Sequence, residues 1–349
     1  MIRASNSHRA SCSNKLRARS QRGAALVVAL LIVAMVVMLG TALGSDFLLM
    51  FRRVENQLYS EQAYAYLQGA EELARAALLQ DLQRDGDKHN DNLSEPWAQE
   101  QKFPTDYGWI VGQIEDLGGR FNVNGLTSNT ATDNTAGGHS STQNQFIRLL
   151  LTLKLEEPLS IDQAQALAEA VTDWIDGNDE VDGLGGAESQ YYAQAEPMGR
   201  AANRAMVSPS ELLWVKGMTP EIYRALAPLI TVWPKEGSKL NLNTASVQVL
   251  RSMGDPKLTE PLSESEGEFL LQARTEQKFF SDTTIVSEGL LKSKNIEVQR
   301  LQLMSSDYFM LRTTTEFQGH RYSMQSLLHR RRDKKPARVD VEARSYGEW

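Results

Sequence analysis

The longest apolar stretch runs from Ala24 to Gly44 (AALVVALLIVAMVVMLGTALG), 21 residues without a charge. At about 1.5 Å per residue a helix of that length spans about 30 Å, the thickness of a bilayer's hydrocarbon core. The pattern then changes without a break. Phe47 to Gln83 contains no proline, and its only glycine is Gly69. Leu58, Ala63, Leu67, Ala70, Ala74, Ala77, Leu78 and Leu82 recur mostly at three- and four-residue steps, which predicts one apolar stripe along a helix. Arg52, Arg53, Glu55, Glu61, Glu71, Glu72, Arg75 and Asp81 occupy much of the rest. No turn signal interrupts Ser45–Asp46, so Ala24–Gln83 is predicted as one spine of about 90 Å. Residues 24–44 would lie in a membrane and residues 45–83 would pack on a soluble domain.

Beyond the spine, residues 84–106 are polar and turn-rich and read as a connector. Tyr107–Ile114 and Arg120–Val123 alternate as two strands, with Asp116–Gly119 as their hairpin turn. Residues 127–145 have almost no apolar content and are predicted to be a flexible loop. Helical periodicity dominates from Phe146 to about Leu291. Phe146–Leu155 and Ile161–Ile175 are helices, the second capped by Ser160, and further starts fall at Ser208, Thr219 and Asn243. Strand alternation returns at Tyr308–Phe317, Tyr322–His329 and Val339–Ala343. The basic run Arg330–Lys335 reads as a solvated tail. The predicted fold class is α+β. A sheet built from 84–126 and 306–349 would carry an all-α domain inserted at 146–305.

Composition narrows the function. A mean hydropathy of -0.39 over 349 residues excludes a polytopic membrane protein. The single cysteine, Cys12, excludes an internal disulfide framework and a cysteine-based zinc cluster. None of the five histidines is at i,i+4 spacing, which removes the common helical zinc-hydrolase signature. The net charge of -7 hides an asymmetry: residues 1–23 hold six of the 37 bases and none of the 44 acids. The rest of the chain is therefore acidic, which argues against a nucleic-acid-binding surface. Six bases before the apolar run and Asp46 after it predict a cytoplasmic N-terminus with the bulk across the membrane. A secretory signal peptide would have a shorter apolar region and an A-x-A-like cleavage site. A plain signal anchor is the remaining competitor.

The densest polar constellation is Asp173-Trp-Ile-Asp176-Gly-Asn178-Asp179-Glu180-Val-Asp182, continuing through three glycines to Glu188. No lysine or arginine neutralises it locally. Such repulsion is relieved by a hard cation, and Ca²⁺ takes six to eight oxygens from loops of this kind. It is not an EF-hand, since the glycine and glutamate spacing is wrong, and Mg²⁺ prefers fewer protein ligands. The alternative is a solvated acidic loop. A hydrolase would use paired carboxylates with Trp174, Tyr191 and Tyr192 stacking on sugar, but no nucleophile–base arrangement appears, and an enzyme is not predicted. Leu240–Ala245 with Val249–Leu250 and Leu270–Arg274 looks like a helix-hairpin-helix unit. Ser208–Val232, with Lys216-Gly217-Met218 at its hairpin, looks like a related one. Such pairs can hold a DNA phosphate on backbone amides. The acids around them (Glu211, Glu221, Asp255, Glu260, Glu264, Glu266, Glu268) favour a protein-packing role instead.

Gln21-Arg22-Gly23 meets the apolar run abruptly. This resembles the leader of type IV prepilins and pseudopilins, which a prepilin peptidase cuts after such a glycine to leave Ala24 as the new N-terminus. Further motifs are SEPWA (Ser94–Ala98), GRFNVNGL (Gly119–Leu126), DWID with GGAE and Tyr191 downstream, NRAMVSPSELLWVKGM (Asn203–Met218) and LNLNTA (Leu240–Ala245). Together they resemble the general secretion pathway protein K family, the large minor pseudopilins of the bacterial type II secretion system.

The resemblance implies a pilin-like long helix and antiparallel sheet carrying an inserted helix-hairpin-helix/SAM-like domain. It also implies calcium in the DWID…GGAE region, with Asp176, Asn178, Asp179, Glu180, Asp182 and Glu188 as ligand candidates. The expected partners are other minor pseudopilins, the major pseudopilin, the prepilin peptidase, the inner-membrane secretion platform and the secreted substrate. No nucleic acid is expected. Most pilins carry glutamate at mature position five, where this chain has Val28. A mid-bilayer carboxylate costs about 2.5–3.5 kcal/mol on insertion scales, so it is kept only where a partner recovers that cost. Its absence fits the first subunit, at the tip of a short periplasmic pseudopilus that exports folded proteins across the outer membrane. The alternative is a membrane-anchored DNA receptor using the helix-hairpin-helix-like segment.

Overall fold

The computed structural model describes residues 14–85, 90–106, 108–127, 138–276, 289, 293–296, 301–302, 305–332 and 336–347. The chain divides into two compact units, Met1–Gln62 and Ala63–Trp349. The described part of the first unit is helical, the start of α1 (Asn14–Asp85). Residues 1–13 of the expected leader lie outside the described residues, and α1 runs through the Gly23–Ala24 junction. Between Leu26 and Leu43 the large apolar side chains are 56–71% exposed. Mean hydropathy over the most apolar window reaches 2.9. A surface of this kind is costly in water and suits hydrocarbon, where a helix satisfies its own backbone. The two hydroxyls near its end are also satisfied internally: Thr41 donates to the Met38 carbonyl at 2.9 Å and Ser45 to that of Ala42 at 2.8 Å.

In the second unit, α1 continues from Ala63 to Asp85 and is followed by β1 (Gln101–Thr105) and β2 (Gly108–Asp116). A helical region follows: β3 (Phe121–Asn122), α2 (Ser141–Leu151), α3 (Ile161–Ile175), α4 (Ser189–Tyr192), α5 (Pro220–Leu226), β4 (Ile230–Thr231), β5 (Leu240–Asn241), α6 (Val247–Arg251), α7 (Glu264–Glu276) and β6 (Leu301–Gln302). The chain then returns to β7 (Tyr308–Phe317), β8 (His320–Arg331) and β9 (Arg338–Tyr346). The main sheet is antiparallel throughout, in the order β1-β2-β7-β8-β9. The β7–β8 connection is a two-residue turn in which Gln318 and Gly319 both take positive φ, 52° and 77°. That geometry matches the right-handed twist of the flanking strands.

Alternation along β7 puts Phe309 and Leu311 in a core with Ala74 and Leu78 of α1, Trp97, Ile114, Leu328 and Val339. The helical region has its own larger core, which includes Phe121, Phe146, Leu167, Val171, Trp174, Leu212, Ile230 and Leu250.

Five expectations need correction. The partner of β2 is β1, not 120–123. Asp116 turns its carboxylate back onto the Gly118 amide (2.7 Å), and the chain makes a 3-10 turn instead of a hairpin. Phe121–Asn122 then pairs in parallel with Ile230–Thr231. The 84–106 connector is partly core: Asp91, Asn92, Glu95 and Trp97 are buried, although 86–89 lie outside the described residues. The 127–145 loop ends early. Residues 128–137 lie outside the described residues, but α2 begins at Ser141 behind a capping box of Ser140 and Gln143. That turn carries buried polar side chains (Gln143 to Thr172, Asn144 to the Pro256 carbonyl), which a hydrophobicity pattern does not register. The short helix α6 is capped by Ser246, whereas Asn243 and Thr244 bond elsewhere.

The fifth correction is the basic run. Arg330 belongs to β8 and is 1% exposed, among the largest fully buried side chains in the described residues. It pairs with Asp81 at 3.3 Å and with Asp91, and it lies 4.9 Å over the Phe309 ring. Arg331 and Arg332 pair with Asp340, Glu342 and Asp307, and 333–335 lie outside the described residues.

Candidate metal centre

Helix α3 places the first half of the centre. Ala164, Leu167, Ala168, Val171, Trp174 and Ile175 bury one face, and Asp173 is carried inside with them to zero exposure. Asp176 is the C-cap of α3, one turn on, so the two carboxylates share a side of the helix end. The loop then folds back along the same helix. The Asp182 amide donates to Asp173 Oδ1 (3.0 Å) and the Gly185 amide to Glu169 Oε2 (2.6 Å). Glu188, the N-cap of α4, completes the return and is 3% exposed. Gly186 is required by close approach: a Cβ there would strike Asp173 Oδ2 and the Asp182 carbonyl.

One carboxylate oxygen each from Asp173, Asp176 and Glu188 lies within 4.8 Å of the others. Asp173 Oδ2 and both Glu188 oxygens are buried without a hydrogen-bond partner. Unpaired buried acceptors of this kind are expensive. Burial, aided by the neighbouring acids, pushes Asp173 up to about 6 and Glu188 up to about 7, and burial raises Asp176. Protons or a cation must therefore supply positive charge here. The donor set is all oxygen on a glycine-containing loop, which fits a hard, flexibly coordinated ion such as Ca²⁺. A cleft of about 530 Å³, lined by Asp179, Val181, Glu188, Tyr191 and Gln194, opens beside Glu188.

A second acidic group, Asp81, Asp91 and Glu95, is also tightly gathered. Here the chain supplies its own cations: Arg330 pairs with Asp81 and Asp91, and Arg84 lies 3.0 Å from Asp81 and 3.9 Å from Glu95. Among the described residues, no lysine or arginine forms an ion pair with the Asp173 group. That contrast makes the first group the better candidate for a cation.

Of the sequence-expected ligands, the structure brings together Asp176 and Glu188. Asp179, Glu180 and Asp182 are not in the three-carboxylate group. Asn178 and Glu180 are exposed, and Asn178 Oδ1 accepts from the Glu180 amide at 2.6 Å. Asp179 accepts from Asn203 Nδ2 at 3.2 Å, and Asp182 from Gln143 Nε2 at 3.2 Å. Asp173 is the member missed as a ligand. Its spacing of three residues before Asp176 was the available signal, because both then emerge on one side of a helix end.

The remaining expected positions are Gly23, Ala24 and Val28, all exposed on α1, with Val28 57% exposed. At the hairpin Lys216-Gly217-Met218, the Lys216 amide donates to the Tyr192 hydroxyl (3.2 Å) and the Met218 amide to the Val215 carbonyl (3.1 Å).

Comparison with known proteins agrees with this layout. The family model for type II secretion system (T2SS) protein K matches residues 119–235, the stretch that contains the three carboxylates. The type II secretion system protein K of Pseudomonas aeruginosa is 33% identical over 336 residues, 95% of this chain and 94% of that protein. Its counterpart from Pectobacterium carotovorum is 32% identical over 331 residues, covering 94% and 97%. Among solved structures, a chain from the GspK-GspI-GspJ complex of the enterotoxigenic Escherichia coli Type 2 Secretion System superposes with a TM-score of 0.67 at 25% identity. That match covers 85% of this chain and all of that one. A spine helix on an antiparallel sheet, a helical insert, and identity above 30% along almost the whole length lead to one statement: this chain belongs to the type II secretion system protein K family of minor pseudopilins.

Proposed function

We propose that the protein starts and caps the tip of a periplasmic pseudopilus, as a non-enzymatic subunit held in the bacterial inner membrane. The observation that carries this is α1. An exposed apolar surface begins directly after Gly23, and the same helix continues into residues that pack on the sheet. Prepilin peptidase would remove residues 1–23 and leave Ala24 first, with the N-terminus cytoplasmic and the acidic bulk periplasmic. Val28 at mature position five has no carboxylate to satisfy, as suits a subunit with no predecessor in the filament. The solved neighbour is part of a GspK-GspI-GspJ complex, which supports other minor pseudopilins as partners here too. The major pseudopilin, the secretion platform and the exported substrate complete the set.

Asp173, Asp176 and Glu188 would hold Ca²⁺, which supplies the positive charge that their unpaired oxygens lack. The protein's own part is to fix the loop that presents them. A DNA-receptor reading finds little support, because two amides at the candidate phosphate hairpin are engaged within the chain.

Complementation tests the proposal. In a secretion-competent bacterium lacking its own protein K, this chain should restore export, and Gly23→Leu, which blocks leader removal, should abolish it. Normal export with residues 1–23 still attached would refute the assembly route.

A further inference from the structure

Lys216 sits in the turn after the 3-10 segment Pro209–Trp214 and is half-buried. Its ammonium donates to the Gly185 carbonyl (3.0 Å) and the Gly186 carbonyl (3.1 Å). It also lies 5.1 Å over the Tyr191 ring. Its backbone amide donates to the Tyr192 hydroxyl, and Tyr192 packs edge-on against Trp174 of α3 at 5.0 Å. One residue therefore grips both the arm of the loop that leads into Glu188 and the short helix that leaves it. Among the described residues no carboxylate comes within ion-pair distance of Nζ, although acids surround the loop. The charge is spent on backbone carbonyls and a π face instead.

A loop with glycine at 183, 185 and 186 loses much conformational entropy when it orders, so something must hold it. We propose that Lys216 is the positioning residue of this loop: by holding the Gly185 and Gly186 carbonyls it sets Glu188 opposite Asp173 and Asp176, and so couples cation binding to the 208–218 segment. The inference rests on the cation reading of the centre. A competing effect has the opposite sign, since a nearby ammonium repels a divalent cation. The tether wins in this account because Nζ bonds the backbone that carries a ligand, and loss of such outer partners weakens metal sites about 10–100-fold.

The test is calorimetric titration of calcium chloride into the chelator-stripped full chain in detergent micelles. Lys216→Met should bind at least about 10-fold more weakly than wild type, with an unchanged far-UV circular dichroism spectrum in the calcium-free state. Lys216→Arg should retain most of the affinity, because its fork also reaches two carbonyls. Equal or tighter binding by Lys216→Met would overturn the role of Lys216 alone. A wild-type chain that takes up no calcium would overturn the metal centre itself and the inference with it. If Lys216→Met does not fold, Lys216→Gln replaces it, with several-fold weaker binding expected. Failure of both to fold would make Lys216 a core staple and also overturn the proposal.

Discussion

At the scale of single residues, the second unit is held by acids and bases placed inside it. Glu71 is 1% exposed: burial pushes its carboxyl up, but Arg344 and Ser326 together hold it below the ordinary range. Arg330 is the larger commitment, facing Asp81 and Asp91 with no exposed surface of its own side chain. Replacing it by methionine leaves the buried Asp91 without its cation and Asp81 with Arg84 instead of two arginines. A loss of about 3–5 kcal/mol follows, measurable as a fall in the urea midpoint of the calcium-free chain. Glu95 and Asp116 titrate in the same region. Burial, then the negative charge of Asp81, pushes Glu95 up to about 7; burial, then Asp91, pushes Asp116 up to about 6. The folded state therefore binds their protons more tightly than the unfolded chain does. Their stabilisation is complete below the ordinary carboxylate range and is lost as pH rises through 6 to 7. Groups held low, such as Glu71 and Glu266, are ionised throughout that interval and contribute no slope. The melting temperature of the calcium-free protein should accordingly be higher at pH 5.5 than at pH 7.5. Asp173 and Glu188, raised to about 6 and about 7, add to the same slope in the calcium-free chain, so the opposite order would mean that these four groups are not buried as described.

At the scale of elements, each piece is only as legible as its hydrophobic pattern. Helix α3 spans its predicted residues behind Ser160, and β7 its predicted ten, because both alternate cleanly and both are punctuated by residues with strong local chemistry. The pattern sets Glu71 and Asp81 off the apolar stripe, yet both are buried on α1 with Leu67, Ala74, Leu78 and Leu82. An acid on an apolar stripe needs a cation brought to it. The partners, Arg344 and Arg330, lie more than 240 residues away in sequence, so no local pattern could name them. Asp116 is similar: Asn241, Thr244 and Ser306 satisfy it from distant segments, which turns an expected hairpin into a 3-10 turn. At the centre, the acid-rich loop was visible as composition, while the choice of Asp173 over Asp179 or Glu180 required knowing which way the helix end faces. Two predictions belong here. Leu78→Ala, at a fully buried contact between α1 and the sheet, should cost about 2–5 kcal/mol in chemical denaturation. Gly186→Ala should displace the loop by steric conflict with Asp173 and Asp182. It should weaken calcium binding in the same calorimetric titration while leaving the α3 helix content unchanged by circular dichroism.

At the scale of the molecule, a basic N-terminal stretch, an apolar helix and an acidic body follow one another along a single chain. Each suits a different medium: cytoplasm, hydrocarbon and periplasm. Val28→Glu should leave the fold intact, since the side chain is exposed on α1, while adding the carboxylate that internal pilin subunits carry. The variant should then be found by cross-linking within the filament as well as at its end. Identical cross-linking patterns for the two proteins would remove Val28 from the argument for a tip position. The most direct measurement is the intact mass of the protein purified from native membranes. The account predicts a chain beginning at Ala24, with its helix retained and its α-amine methylated. A mass that still includes residues 1–23, or one that lacks the helix altogether, would contradict it.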